Sequence, residues 1–251
     1  DLVRFADTNG MHKDYYRNST AYRDWVIRAY NENLKYDEFV RYQLAGDLFP
    51  DASSDQLIAS GFNRLHLIID VGTALPEESF FKNVTDRVTA VGTAFMGMTV
   101  QCAACHDHKY DPITQKDYYS LFAFFNNIDA KPETERGLKN GLQPPIASIP
   151  SEEQKKSLDE LLAKISATES QINNENNSED KLLELNEKLK SHKSERDQLK
   201  QQIPVAMVMK ERKEVRETRI RKRGQYDDPG YVVQRNTPEF LNPMKRSGDV
   251  A

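Results

Sequence analysis

The chain has 251 residues, of which 38% are hydrophobic and 29% are charged, and its formal net charge is −4. This length suits one large domain or two small ones, and the low apolar fraction predicts that part of the chain is solvated and extended. The weakly acidic balance excludes the global basic field of a nucleic-acid-binding protein. No apolar run approaches the length of a membrane span.

Helical patterning dominates the first 130 residues. One apolar face at the i, i+3, i+4, i+7 spacing is formed by Tyr22, Trp25, Val26 and Ala29. A second helix is expected after Asp37, and further helices over residues 54–63 and 77–98. Another helix should begin at a cap near Thr114 or Asp117. Its aromatic-rich face holds Tyr118, Tyr119, Phe122 and Phe125.

The remaining residues change character three times. Residues 131–150 are rich in Pro and Gly and predict a linker. Residues 151–203 repeat leucine and isoleucine at three-four spacing between charged flanks, which is typical of an antiparallel, coiled-coil-like helical hairpin. Its turn is expected in the Asn-rich segment 173–177. Residues 204–251 combine short strand patterns with turn residues, and predict a small β element that opens a second, truncated domain. The expected fold is therefore mainly α, with the hairpin inserted between a helical domain over residues 1–130 and this β element.

The only two cysteines stand three residues apart, in Cys102-Ala103-Ala104-Cys105-His106. In a Cys-x-x-Cys-His segment the two thiols can add to the two vinyl groups of one haem, and the histidine then lies under the iron as an axial ligand. The alternatives are a redox-active thiol pair and half of a zinc site. A zinc site needs two more ligands, and a redox pair usually follows a strand in a βαβ unit. The pattern favours one covalent haem c.

The second axial ligand is open at this point. The candidates are His66, which lies in an apolar stretch, Met96 and Met98 just before the cysteines, His108 and His12. Met is a common filler of core gaps, so a core role is expected for both methionines. His108 follows the first ligand so closely in sequence that the two cannot easily reach opposite faces of one iron. It is expected to hydrogen-bond a propionate or carboxylate, or to bind a second metal.

Two charged groups stand apart from this motif. Five acidic residues near it in sequence could hold calcium, although their spacing matches no standard calcium loop and solvated charge is the preferred interpretation. They are Asp70, Glu77, Glu78, Asp107 and Asp111. Residues 210–223 are densely basic but diluted by glutamates, which indicates a solvated face or, alternatively, a docking face for an acidic redox partner.

Four stretches carry a family resemblance: residues 102–127, 22–27 (YRDWVI), 43–48 (QLAGDL) and 72–78 (GTALPEE). They resemble an uncharacterised domain pair of large secreted planctomycete proteins, found beside planctomycete-type cytochrome c domains. The resemblance covers residues 1 to about 130 and resumes near residues 205–241, where Arg223-Gly-Gln-Tyr-Asp-Asp-Pro-Gly230 resembles the opening of the second domain. A histidine at the position of His66 belongs to the family pattern, which favours His66 as the second axial ligand.

This resemblance implies export to the periplasm, cell surface or exterior, and a multidomain parent of which this chain is one part. The first residue, Asp1, is not Met, which suggests that the chain is processed, trimmed or only part of a longer sequence, and which says little about the compartment. Three functions are compatible with these features. Electron transfer to a redox partner or to other haem domains is the leading hypothesis. A haem-dependent oxidoreductase domain and a structural module of a larger cell-surface complex are the alternatives.

Overall fold

The computed structural model describes residues 5–10, 14–68, 75–133, 141–173 and 178–242. His12 and Asp70, both considered above, lie outside these residues. Contacts divide the chain into a main unit, Asp1–Ile146 with Ala206–Ala251, and a hairpin unit, Ala147–Val205. Residues 206–251, which include most of the segment expected to form a small β element, group with residues 1–146. An isolated β-bridge between Ile128 and Glu211 is one of the contacts that join these distant parts of the main unit.

Five α-helices of the main unit are described, and the protein is mainly helical as expected. They are α1 (Thr20–Asn31), α2 (Tyr36–Ala45), α3 (Ser54–Ala59), α4 (Pro76–Val91) and α5 (Gln115–Phe125). Shorter turns extend several of them: 3₁₀ helices at Gly46–Leu48, Ser60–Arg64, Val100–Ala104 and Lys222–Gly224, and a π-turn at Gly92–Met96. The helix expected over residues 77–98 thus ends as an α-helix at Val91 and continues into the π-turn.

The core of the main unit is formed by the predicted apolar faces. Trp25 of α1 stacks on Phe39 of α2, with ring centroids 5.4 Å apart. The hydroxyl of Tyr22 donates to Oε1 of the buried Gln43 at 2.7 Å. Gly46 lies so close to α3 that a side chain there would collide with the carbonyl oxygen of Gln56. These contacts account for Gln43 and Gly46 of the QLAGDL segment.

The start of α5 is fixed by a capping box. Thr114 is the N-cap residue, and its hydroxyl accepts the backbone N–H of Asp117 while the Asp117 carboxylate accepts that of Thr114. This arrangement satisfies two N–H groups that a helix start leaves unpaired. It also orients Gln115 and Tyr119, which face the cysteine segment.

The hairpin unit contains two long helices, α6 (Glu152–Ile172) and α7 (Glu179–Gln202). Ile165 and Thr168 on α6 and Leu185 on α7 are the buried positions. At the open end of the hairpin the N–H of Ile149 donates to the carbonyl of Pro204 at 2.8 Å. Of the expected turn, only Asn173 is among the described residues.

Among the residues that the structure describes, four short strands form two two-stranded sheets. Strand β1 (Ile146–Ser148) pairs with β2 (Val205–Met207), and the chain crosses between the two units within these strands. Strand β1 falls in the segment that was expected to be a linker, because its pairing partner lies far away in sequence and leaves no local periodic pattern. Strand β3 (Thr218–Arg221) pairs antiparallel with β4 (Pro229–Val233), with Thr218 opposite Val233. None of the helices formed by the described residues has the length and apolar character needed to cross a membrane.

Candidate functional site

The cysteine segment is anchored on one side and open on the other. Val100 and Ala103 are completely buried in the 3₁₀ helix that carries Cys102, and Cys105 ends this helix. Both thiols are free and belong to exposed residues. The aliphatic side chains therefore hold the turn against the main unit, and the two cysteines are exposed residues of this turn.

His106 has its two ring nitrogens in different environments. Nδ1 lies 2.7 Å from the backbone carbonyl oxygen of Asp107. A carbonyl can only accept, so this contact assigns the hydrogen to Nδ1 and the lone pair to Nε2. This is the tautomer that a metal-binding histidine adopts, with one nitrogen held by a backbone carbonyl and the other free to coordinate.

His108 has a different role from His106. Its Nδ1 accepts the backbone N–H of Asp111 at 2.8 Å, and its Nε2 lies 3.3 Å from the hydroxyl of Thr99. The backbone N–H of His108 donates to the backbone carbonyl of Ile113 at 2.8 Å. Both ring nitrogens are thus engaged in holding the loop after the cysteines, and the side chain is only 7% exposed.

The cysteine segment is also tied to α5 and β3. The carbonyl of Ala104 accepts from the side-chain amide of Gln115 and from the hydroxyl of Tyr119, each at 3.0 Å. The Gln115 amide also donates to the carbonyl of Arg221 at 3.1 Å. One side chain therefore joins the cysteine segment to a strand that lies more than 100 residues later.

His66 lies in a buried ionic cluster that also contains Glu133, Arg64, Arg87 and Arg17. Its Nε2 is 2.9 Å from Oε2 of Glu133, and its backbone carbonyl accepts from Nη1 of Arg17 at 2.7 Å. Oε1 of Glu133 pairs with Nη2 of Arg64 at 2.8 Å, and Nη2 of Arg87 lies 3.8 Å away. The side chain of His66 is 1% exposed.

Burial and the surrounding charges shift the pKa values of this cluster. Burial lowers the pKa of His66 to about 4, and the cationic Arg87 and Arg17 act in the same direction. Burial alone would raise the pKa of Glu133, but the contact with His66 and the guanidinium of Arg64 hold it well below its usual value. The cluster therefore contains an ionised carboxylate that accepts from a neutral imidazole and from an arginine.

The pH dependence of stability should report on His66. Between its ordinary pKa of 6.5 and its folded pKa of about 4, the unfolded chain binds a proton that the folded chain does not, so stability falls as pH falls. We expect His66→Gln to flatten urea-derived stability over this range by up to about 1.4 kcal/mol per pH unit. Asp47, whose pKa is raised to about 6 by burial, has the opposite sign. Asp47→Asn should therefore steepen the dependence of stability on pH. An unchanged slope in His66→Gln would contradict the lowered pKa of His66.

The other residues considered as ligands of haem iron or of calcium do not form one site. Met96 ends the π-turn and Met98 follows it, and both are half-buried. Asp107 accepts the N–H of Gln115, and Glu78 pairs with Lys82 of its own helix at 2.6 Å. Within the described ranges no three His, Cys, Asp or Glu side chains are grouped in a way that could hold a metal ion.

Sequence reasoning missed the arginines of the buried cluster and their carboxylate. Arg64 alone also donates to the carbonyls of Gln143, Pro144, Pro145 and Val208. A charged residue inside the apolar run around His66 was the available signal for Arg64. Glu133 gave no such signal, because it stands in a Pro- and Gly-rich segment without periodicity.

The fold and site together define a mainly helical protein with a solvent-facing Cys-x-x-Cys-His segment. The PSCyt2 family, described as a protein of unknown function (DUF1549), matches residues 1–130, and the chain belongs to this family. This agrees with the resemblance noted from the sequence. No curated protein and no solved structure matches the chain.

Proposed function

We propose that this chain is a c-type haem protein that transfers electrons, with haem attached through Cys102 and Cys105 and with His106 as an axial iron ligand. The observation that carries the proposal is the state of the three side chains. Two exposed, unpaired thiols stand three residues apart, and the next residue presents an imidazole whose Nδ1 is held by a backbone carbonyl at 2.7 Å. This donor set matches what covalent haem requires.

The residues of the site have separable tasks in this proposal. Cys102 and Cys105 hold the group, His106 supplies an iron ligand, and the Asp107 carbonyl fixes the orientation of the His106 ring. A bound haem supplies a one-electron redox couple whose potential depends on its axial ligands and its exposure. His108 and Gln115 keep the loop in place through their contacts with Asp111, Ala104 and Arg221.

Covalent haem is the decisive test. The chain is expressed in a bacterial host that exports it and that contains the machinery for haem attachment. The purified protein is then analysed by intact mass and by the pyridine haemochrome spectrum. Wild type should carry one covalent haem, and the Cys102→Ala, Cys105→Ala double variant should carry none. His106→Ala should alter the axial ligation, whereas His192→Ala, a matched control in α7, should leave the spectrum unchanged.

Other outcomes of the same preparation separate the alternatives. Wild type without haem would overturn the proposal, and bound zinc or a reversible disulfide in that protein would identify a zinc site or a redox-active thiol pair. Binding of carbon monoxide to the reduced haem protein would indicate an open iron position and favour a haem-dependent oxidoreductase over pure electron transfer.

The second axial ligand is tested separately. His66 is the proposal that follows from the family pattern. Its Nε2 contacts Glu133, so iron would bind either at Nδ1 or at an Nε2 that has left this carboxylate. If His66 is the ligand, His66→Ala converts a six-coordinate spectrum into a five-coordinate one. An unchanged spectrum excludes it and assigns His66 to the buried cluster alone, and Met96 and Met98 are then the next variants to examine.

The proposed setting is an exported protein, in the periplasm or at the cell surface, with a redox partner protein or another haem domain as the electron acceptor or donor. The basis is the chemistry of the site together with the family resemblance, because haem c functions in compartments where the thiols and haem are joined after export. Fractionation of the native organism followed by haem staining of the denatured protein would test this location.

A further inference from the structure

A turn from the end of the chain packs directly on one of the two thiols. Gly224 closes the 3₁₀ helix Lys222–Gly224, and a Cβ atom added to it would lie 2.6 Å from Sγ of Cys105 and 3.5 Å from the carbonyl oxygen of Ala104. Contacts below 3.0 Å are not tolerated by real Cβ atoms. A side chain at position 224 would therefore require either the Cys105 sulfur, which ends a rotatable side chain, or the turn itself to shift.

The backbone of this turn also favours glycine. Gly224 has a φ of +72° and Arg223 a φ of +52°, so two consecutive residues adopt the left-handed conformation. This conformation is sterically unfavourable for residues with a Cβ, whereas glycine adopts it without that steric penalty. The shape of the turn and its approach to Cys105 thus place the same demand on position 224.

The turn is held in place from both ends. The N–H of Lys222 donates to the carbonyl of Asp228, and the N–H of Gln225 donates to the carbonyl of Lys222, each at 3.0 Å. On the other side, the Gln115 amide joins the carbonyls of Ala104 and Arg221. Because β3 and β4 flank the turn, its position relative to Cys105 is set by the fold rather than by local chain preference.

We infer that Gly224 is a positioning residue for Cys105, which fixes the sulfur atom for thioether formation at this position. This rests on the proposed function. In the bond-forming step the Cys105 S–H adds across a vinyl C=C, so that one S–C bond forms and the hydrogen goes to the other vinyl carbon. No oxidant and no leaving group is required. The segment after the hairpin unit is thereby part of the site, although the family match ends at residue 130.

The test compares two glycines with the same backbone requirement. Gly97 has a φ of +64° with nothing within 4 Å of an added Cβ, so Gly97→Ala carries the conformational cost without a collision. In wild type and Gly97→Ala we expect haem bound through both sulfurs. In Gly224→Ala the ratio of haem joined through Cys105 to haem joined through Cys102 should fall by about tenfold, which is typical of an overpacked contact. Peptide mass spectrometry of the haem-bearing fragment measures this ratio.

A second measurement does not depend on haem. In the reduced apoprotein, the rates at which iodoacetamide alkylates Cys105 and Cys102 are compared by peptide mass. We expect Gly224→Ala to raise the Cys105 to Cys102 rate ratio by about threefold or more, since the added methyl lifts the turn from the sulfur. Gly97→Ala should leave the ratio unchanged.

The outcomes of the two measurements distinguish the inference from the proposed function. Wild type without covalent haem overturns the proposed function, and the alkylation ratio then decides the inference about Gly224. Equal thioether and alkylation ratios in wild type and Gly224→Ala overturn the inference while leaving the haem proposal intact. If Gly224→Ala does not fold, Gln115→Ala replaces it, because it removes the side chain that joins the strand before this turn to the carbonyl of Ala104 without backbone strain. An unchanged ratio in that variant would also overturn the inference.

Discussion

Replacement of Glu133 by alanine is expected to destabilise the folded chain by about 3–5 kcal/mol, because it leaves buried cations without their counter-charge. Arg64, Arg87 and His66 all contact or face this carboxylate, and its side chain is only 4% exposed. Arg64 is completely buried. Urea or guanidinium titrations followed by circular dichroism at neutral pH would measure the loss.

Two control variants show whether the loss of stability comes from the lost charge or the lost volume, and whether burial of the ion pair matters. Glu133→Gln keeps the size of the side chain and one acceptor oxygen, so it should retain part of the stability that alanine loses. Glu239→Ala removes an exposed carboxylate that pairs with Lys116 at 2.8 Å, and it should change stability little because solvent screens such pairs. Equal effects of Glu133→Ala and Glu239→Ala would contradict a structural role for the buried cluster.

A chain cut after residue 130 is expected not to fold cooperatively, even though it contains the whole segment matched by the family. The cut removes Glu133 and the carbonyl acceptors of Arg64 at residues 143–145 and 208. It also removes the N–H of Met209, which donates to the Ser60 hydroxyl at 2.9 Å. Proton NMR dispersion and the steepness of thermal unfolding would show whether a cooperative fold remains.

Removal of the hairpin unit is the matched comparison. The N–H of Val208 donates to the carbonyl of Pro145 at 3.1 Å, so a short Gly/Asn linker in place of residues 147–205 can join the two segments of the main unit. We expect this deletion to keep a cooperative fold and any haem spectrum of wild type. If it also abolished assembly with a partner, the hairpin unit would have an interaction role. A well-folded 1–130 fragment would contradict the contribution assigned here to Arg64 and Glu133.

The local parts of this fold could be predicted from the sequence. The helices that contain Trp25, Val84 and Tyr118 could be recognised from the spacing of their apolar residues. An α-helix repeats every few residues, so the side chains on its buried face recur at a regular interval in the sequence. The capping box at Thr114 and the paired helices of the hairpin unit follow from patterns of the same kind. The Cys102–His106 motif likewise identifies its candidate chemistry without any tertiary information.

Contacts between residues far apart in sequence were decided by the tertiary structure alone. The pairing of β1 with β2, the meeting of Arg64 with Glu133, and the approach of Gly224 to Cys105 each bring together segments separated by 57 residues or more. Such contacts have no period, and their partners are chosen by how the helices pack. The Cys-x-x-Cys-His motif was therefore visible in the sequence, whereas the turn that packs on its second sulfur became visible only in the folded chain.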